Sequence, residues 1–79
     1  MLLNEIKSCV ESHFDGAKVL VEEQGGHYTV TVVSENMAGL NPVKRQQAVY
    51  APLSDMIADG RLHAVNIRAH TPEEYQELG

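Results

Sequence analysis

The 79-residue sequence lacks the features on which several classes of protein depend. It has one cysteine, Cys9, so it cannot form an internal disulfide and offers no CxxC pair for zinc. No stretch approaches the length of a membrane span, and Asn4 and Glu5 are polar where a signal peptide would need an apolar run. We therefore expect a cytoplasmic, reducing setting without membrane attachment, in which Cys9 is a small buried hydrophobe on a helix.

Catalytic motifs are also missing. The sequence has no nucleophile turn with a Ser/His/Asp order, no HExxH, no P-loop and no GxGxxG. A chain of this length buries only about 60% of the surface that it exposes when unfolded, which leaves little interior for a substrate pocket. We expect residues 1–79 to form a single domain that is not an enzyme.

Positive charge is scarce overall but concentrated in the middle of the chain. The formal net charge is −5, which argues against binding to nucleic acid by bulk charge. Residues 41–70, however, have only Asp55 and Asp59 against four basic side chains, namely Lys44, Arg45, Arg61 and Arg68. This basic region could meet an acidic partner or a phosphate backbone, and these four residues are the candidates for such binding.

The first half of the chain predicts a helix followed by a hairpin. Apolar residues recur at three- and four-residue steps over residues 2–13, which is typical of an amphipathic helix. Residues 17–23 and 27–34 are rich in β-formers, and Gln24-Gly25-Gly26 between them is a turn signal. We therefore predict two antiparallel strands.

The second half predicts helix, strand and helix. Asn41 is a suitable N-cap, Pro42 suits the first helical position and Gly60 a C-terminal stop. Pro52 removes a backbone donor, so we expect a kink or two short helices meeting near Ala51. The predicted buried stripe of this helix consists of Val49, Tyr50, Leu53, Met56 and Ile57.

Residues 62–70 predict a third strand, and Thr71-Pro72 begins a last helix. A strand reached through a helix is expected to lie parallel to its predecessor. The fold class is therefore α+β, in the order α-β-β-α-β-α. We expect a three-stranded mixed sheet, a hairpin plus one parallel strand, with helices packed on one face.

The histidines are the remaining candidates for chemistry. His13 and His70 lie at element ends and are interpreted as structural or solvated, whereas His27 follows the Gly-Gly turn and His63 lies at the rim of the third strand. Neutral imidazole suits iron, zinc and copper. Two imidazoles do not complete a four-ligand site, so any metal or cluster held by His27 and His63 needs further ligands from a partner.

Strand alternation sets a geometric condition on this pair. In an extended strand His27 lies on the face opposite Tyr28, while His63 shares the face of Val65. We therefore expect the two imidazoles to converge only if His27 belongs to the turn.

A nucleic-acid-binding function is the alternative. Lys44 and Arg45 near a helix start, with Arg61 and Arg68, could contact phosphates. The α-β-β-α-β order is also that of one KH-type arrangement, but residues 38–41 lack its GxxG loop.

Three separated segments agree in order and spacing with a known family: Gly39–Tyr50, Leu62–Ile67 and Thr71–Tyr75. They resemble the BolA family, and the Val-Lys-Arg-Gln-Gln run over residues 43–47 looks closest to its IbaG (YrbA) branch. The resemblance covers essentially the whole chain and implies a fold similar to class II KH domains.

The resemblance also implies a function in iron–sulfur cluster assembly, trafficking and iron homeostasis. Members pair with monothiol glutaredoxins and share a bridging two-iron, two-sulfur cluster, to which the glutaredoxin and glutathione supply sulfur. His63 matches the family's C-terminal ligand histidine, and His27 matches its second ligand between the first two strands. The isolated chain is expected to hold no cofactor and to be a monomer or weak homodimer.

The family is linked, too, to stress responses and transcriptional regulation through a basic, helix-turn-helix-like region. That region matches residues 43–47 and the following strand. A DNA-binding stress-response regulator is therefore the alternative that the resemblance implies. Because the net charge is acidic, DNA binding is the less favoured of the two functions that the resemblance implies.

Overall fold

The computed structural model describes residues 2–78 and confirms the predicted order of elements. Within these residues the helices are α1 (Leu2–His13), α2 (Pro42–Ala58) and α3 (Pro72–Leu78). The strands are β1 (Lys18–Gln24), β2 (His27–Val33) and β3 (Ala64–His70). A short 3₁₀ turn is formed by Glu35–Met37. The α+β class is confirmed.

The three strands form one mixed sheet in the order β1-β2-β3. β1 and β2 are antiparallel, with Gln24 opposite His27 across a two-residue turn. Both turn residues have positive φ, 59° at Gly25 and 85° at Gly26, as a type I′ hairpin turn requires. β3 lies parallel to β2 and places Ala64 beside His27.

The core lies between the sheet and the first two helices. α1 and α2 pack against one face, and the fully buried side chains include Ile6, Val10, Val30, Val32, Met37, Val49 and Leu53. The short α3 reaches one end of the opposite face. There the ring of Tyr75 lies 5.6 Å from Nζ of Lys18 and 6.2 Å from the ring of His70.

The predictions for α2 are partly wrong. The helix is continuous across Pro52, so the two-helix alternative fails. Val49, Leu53 and Met56 are buried, but Tyr50 and Ile57 are 37% and 36% exposed. The cause is helical geometry, because each residue turns the helix by about 100° and so carries the neighbours of Val49 and Met56 off the buried face.

The start of β3 also differs from the prediction. Leu62 is buried, and its amide donates to the carbonyl of Met56 at 3.1 Å, so it closes the turn after α2. Gly60, with φ of 86°, makes that turn possible. The strand therefore begins at Ala64, and His63 lies just outside the ladder.

None of the helices within residues 2–78 is long and apolar enough to cross a membrane.

Candidate functional site

The two candidate ligands lie at the same end of neighbouring strands. His27 is the first residue of β2, and its partner in β3 is Ala64, the residue after His63. Because neighbouring strands are about 4.8 Å apart and each residue advances about 3.3 Å, the two histidine backbones are within roughly 6 Å. We call this part of the molecule the histidine end.

His27 is held in position by the hairpin. It is exposed and lies in register with Gln24 on one side and Ala64 on the other. The turn before it is fixed by the amide of Gly26, which donates to Oε2 of Glu23 at 2.8 Å. A polar groove beside it is also lined by Glu22, Glu23, Gln24, Thr29 and Asn66. The position of His27 is therefore well defined, although its side chain is accessible.

His63 is accessible for a different reason. It is exposed and stands between the anchored Leu62 and the first residue of β3. A methyl group placed on Gly60 would lie 3.9 Å from Cε1 of His63, so the imidazole lies beside the turn that ends α2. His63 precedes the first paired residue of β3, so it lies outside the strand register that positions His27.

The geometric condition set by strand alternation is not met. His27 belongs to β2 and not to the turn, so alternation directs its side chain to the face opposite Tyr28. Within residues 2–78 no group of three or more His, Cys, Asp or Glu side chains is placed to hold a metal. The chain thus presents His27 and His63 as exposed imidazoles at one end of the sheet.

Cys9 is not a further ligand at this end. It is half-buried in contact with the core, and its thiol donates to the carbonyl of Pro52 at 2.8 Å. The thiol therefore links α1 to α2.

Arg45 is tied into the fold and is not a free cation. Its side chain is 16% exposed and makes a bidentate ion pair with Glu74, at 2.7 and 3.1 Å. The same guanidinium donates to the carbonyl of Leu40 at 3.0 Å and to that of Ala69 at 3.2 Å. Because these donors form hydrogen bonds within the protein, we assign Arg45 a structural role in place of the candidate binding role.

Glu74 completes this cluster. Its Oε1 accepts from the amide of Thr71 at 3.0 Å, while its own amide donates to Oγ1 of Thr71 at 3.2 Å, which is a capping box. The hydrogen bonds from Arg45 and then from Thr71 lower the pKa of Glu74 to about 2, and Glu74 in turn raises the pKa of Arg45. The Thr-x-x-Glu spacing is a sequence signal for the capping box, but nothing local in the sequence indicates Arg45 as its partner.

The other basic candidates are dispersed. Arg61 pairs with Asp59 at 2.8 Å and Glu5 at 3.4 Å, and hydrogen bonds from Arg61, the backbone one foremost, lower the pKa of Asp59. Lys44 and Arg68 are exposed, and neither forms an ion pair with a carboxylate inside residues 2–78. They remain the available cations of the basic region.

Comparison with known proteins identifies the family to which these features correspond. The model of the BolA-like protein family matches residues 4–74. The acid stress protein IbaG of Escherichia coli K12 is 44% identical over 72 residues, which cover 91% of this chain and 86% of that protein. The DNA-binding transcriptional regulator BolA of Vibrio cholerae is 44% identical over 52 residues, 66% of this chain and 48% of that protein.

A solved structure supports the fold directly. The BolA domain of SufE1 from Arabidopsis thaliana superposes with a TM-score of 0.80 at 29% sequence identity, covering 92% of this chain and 94% of that one.

Proposed function

The chain belongs to the BolA-like family, and on this premise we propose that it is a non-enzymatic adaptor in iron–sulfur cluster assembly or trafficking. It binds a monothiol glutaredoxin and contributes histidine to a two-iron, two-sulfur cluster that the two proteins share. The sulfur ligands come from the glutaredoxin and glutathione, and the cluster supplies iron sites that accept imidazole nitrogen. The observation that carries the proposal is the position of His63.

His63 suits the role of principal ligand because it is exposed yet positioned. The buried Leu62 and the paired Ala64 fix the backbone on either side of it, while its own side chain is free of the ladder. A ligand to a shared cluster must project from its own protein without losing order, and this site meets both requirements. At the histidine end, the imidazole of His27 is the alternative ligand.

His27 is the proposed second contributor. Its backbone adjoins that of His63, but its side chain is directed to the outer face of the sheet. The orientation of the His27 side chain is therefore less favourable for reaching a cluster that His63 binds. We accordingly expect the loss of His63 to impair binding of the shared cluster more than the loss of His27.

The proposal is tested by cluster spectroscopy. The chain is titrated into a monothiol glutaredoxin that carries a two-iron, two-sulfur cluster and glutathione, and visible circular dichroism is recorded. Replacement of a sulfur ligand by imidazole should change the spectrum. His63→Ala should abolish that change, and His27→Ala should reduce it.

The matched control is His13→Ala, because His13 is exposed at the end of α1, away from the histidine end. This variant should give the wild-type spectrum. A full spectral change with His63→Ala would refute ligation by His63.

A second candidate function is DNA binding. It is favoured by the exposure of Lys44 and Arg68 without carboxylate partners among residues 2–78, and by the similarity to a relative named as a DNA-binding regulator. Phosphate contacts by two cations would give weak, salt-sensitive binding.

Fluorescence anisotropy with a labelled duplex at low salt tests this candidate. Reversing both charges, Lys44→Glu with Arg68→Glu, should weaken binding at least about tenfold and flatten its salt dependence. Lys7→Glu on α1 is the control for each single reversal, Lys44→Glu or Arg68→Glu, because all three change the net charge by the same amount; it should have a much smaller effect. Equal losses in these three single variants, or no binding at low salt, would reject the candidate.

A further inference from the structure

Strand β3 is an edge of the sheet, and its outer side carries backbone groups without partners. The strand order β1-β2-β3 places no strand beside β3 on the side away from β2 within residues 2–78. The carbonyl of His70 accepts from the amide of Ser34 at 2.9 Å, so the backbone groups of His70 point towards β2. Because these groups alternate in direction along a strand, those of Val65 and Ile67 point outwards.

Arg45 marks the same outward direction and closes one end of the edge. The carbonyl of Ala69, two residues after Ile67, accepts from Nη1 of Arg45 on α2 at 3.2 Å. The guanidinium therefore occupies the place that a further strand would take at Ala69. In the part of the chain that the structure describes, the amides and carbonyls of Val65 and Ile67 have no such partner. We call these four groups the β3 edge.

A groove accompanies the β3 edge. It has a volume of about 470 Å³. α2 contributes Pro42, Arg45 and Gln46 to its lining, β3 contributes residues 67–70, and α3 contributes Leu78. The groove therefore lies where two helices flank the open side of a strand, and it has room for a side chain from a segment paired with that strand.

The burial of Ile67 shows that the core is incompletely covered at this groove. Ile67 lies beside Val30 in the register, and strand alternation places both side chains on the core face of the sheet. Val30 is fully buried, whereas Ile67 is only partly buried. A further apolar side chain seated beside Ile67 would extend the core across the edge of the sheet.

Charge distinguishes the two edges of the sheet. β1, the other edge strand, has Glu22 and Glu23 against one basic residue, Lys18, whereas β3 has Arg68 and no carboxylate. Arg68 is exposed, lines the groove and forms no ion pair inside residues 2–78. Opposite charges that face each other across paired strands are stabilising, and like charges are destabilising. An incoming segment with an acidic side chain is therefore favoured at β3 and disfavoured at β1.

We propose that the β3 edge binds an extended acidic segment of a partner protein as an additional antiparallel strand. Backbone hydrogen bonds to the β3 edge supply affinity, and alternate side chains supply specificity. The antiparallel direction is assigned because parallel pairs are less stable per residue.

The register of the added strand fixes which side chains it needs. The residue opposite Ile67 shares its face and is apolar, so that it fills the groove. The residue before it lies opposite Arg68 on the outer face and is acidic. The residue after it lies opposite Asn66 and is polar. The recognised order is therefore acidic, apolar, polar, and it does not depend on cluster ligation by His63.

Amide hydrogen exchange of the full ¹⁵N-labelled chain, measured by NMR, tests the proposal. The probe is the peptide Ser-Asp-Ile-Thr-Val-Thr, acetylated and amidated at its ends. At a peptide concentration of about ten times the dissociation constant, the amides of Val65 and Ile67 should exchange about tenfold more slowly. The amides of Asn66 and Arg68 face β2 and should change little.

Methylation of single peptide amides gives matched controls that leave the chain unaltered. An N-methyl group on the peptide isoleucine removes the donor to the carbonyl of Ile67 and should abolish binding. The amide of the threonine that follows points away from β3, so its methylation should leave binding close to that of the parent peptide. Equal loss with both methylated peptides would show that the backbone of the peptide does not pair with β3.

Charge reversal at Arg68 tests the acidic position. Arg68→Glu should raise the dissociation constant of the peptide by roughly fivefold, because an opposite-charge pair across the strands becomes a like-charge pair. A peptide with lysine in place of aspartate should bind this variant more tightly than it binds wild type. Lys7→Glu on α1 changes the net charge equally and should bind the parent peptide as wild type does. Circular dichroism of each variant checks its folding.

The reversed peptide, Thr-Val-Thr-Ile-Asp-Ser, tests the direction of the added strand. It places the same side chains opposite the same residues only in a parallel pairing, so it should bind more weakly than the parent peptide. Tighter binding of the reversed peptide, or no slowing of exchange at the β3 edge with millimolar parent peptide, would overturn the proposal. So would a single-stranded oligonucleotide that perturbs Ile67 and Arg68 when the peptide does not, because the groove would then be a nucleic-acid site.

Discussion

At the scale of single residues, Arg45 joins three parts of the fold. Its guanidinium donates to the carbonyl of Leu40 before α2, to that of Ala69 near the end of β3, and to Glu74 in α3. Glu74 is at the same time the reciprocal partner of Thr71 in the capping box. The short α3 therefore depends on a cluster that the rest of the chain supplies.

Glu74→Gln should lower the midpoint of thermal unfolding by several degrees at neutral pH. The folded-state pKa of Glu74 is about 2, below its ordinary value of 4.5, so its ionised form stabilises the fold. That stabilisation is complete above about pH 4.5 and is lost as the pH falls towards 2. The difference between wild type and variant should therefore shrink over this range.

Unfolding curves at a series of pH values measure this difference. Glu73→Gln is the matched control, because the side chain of Glu73 makes no hydrogen bond to another part of residues 2–78. A difference between wild type and Glu74→Gln that does not change with pH would show that the carboxylate charge is not what stabilises α3.

Among the elements, the β1–β2 hairpin determines where His27 lies. The turn needs positive φ at both Gly25 and Gly26, and a Cβ atom at either would meet nothing within 4 Å. Any penalty for a substitution there comes from the backbone conformation and not from a clash.

Gly25→Ala should therefore lower the free energy of unfolding by roughly 1–2 kcal/mol, measured by urea denaturation. Gly25→Asn should be much closer to wild type, since Asn-Gly is a favoured pair in type I′ turns. Equal destabilisation by both substitutions would contradict the assigned turn geometry.

The elements show which predictions the sequence alone supports. Boundary signals such as Asn41-Pro42, Gly60 and Thr71-Pro72 are local, and the structure confirms the elements that they delimit. The burial of Tyr50 and Ile57 was predicted wrongly because apolar type does not say which helix face meets the sheet. The start of β3 was misplaced because Leu62 is held by a tertiary contact to α2.

The places of the candidate site residues in the fold could be predicted from the sequence, but their contacts could not. His27 and His63 could be singled out from their places beside a turn and a strand end, and the register brings their backbones together. Arg45 was grouped with the other cations because its charge is visible in the sequence. Its partner Glu74 is 29 residues away in the sequence, and no local sequence pattern indicates that the two residues pair.

Across the whole molecule, the histidine end and the Arg45–Glu74 cluster are separate. The histidine end lies where β2 and β3 begin and presents the exposed imidazoles of His27 and His63. The Arg45–Glu74 cluster lies near the other end of β3, where Arg45 donates to the carbonyl of Ala69, and it holds α3 in place. The proposed cluster partner would therefore bind at the end of the sheet away from α3.

The central claim, that His63 ligates the shared cluster, is tested most directly by pulsed electron paramagnetic resonance. The chain is labelled with ¹⁵N and combined with an unlabelled, cluster-loaded monothiol glutaredoxin, and the cluster is reduced by one electron. We expect a ¹⁵N hyperfine coupling typical of imidazole bound to iron, and its loss in His63→Ala but not in His13→Ala. The same strong coupling in His63→Ala as in wild type would contradict the claim.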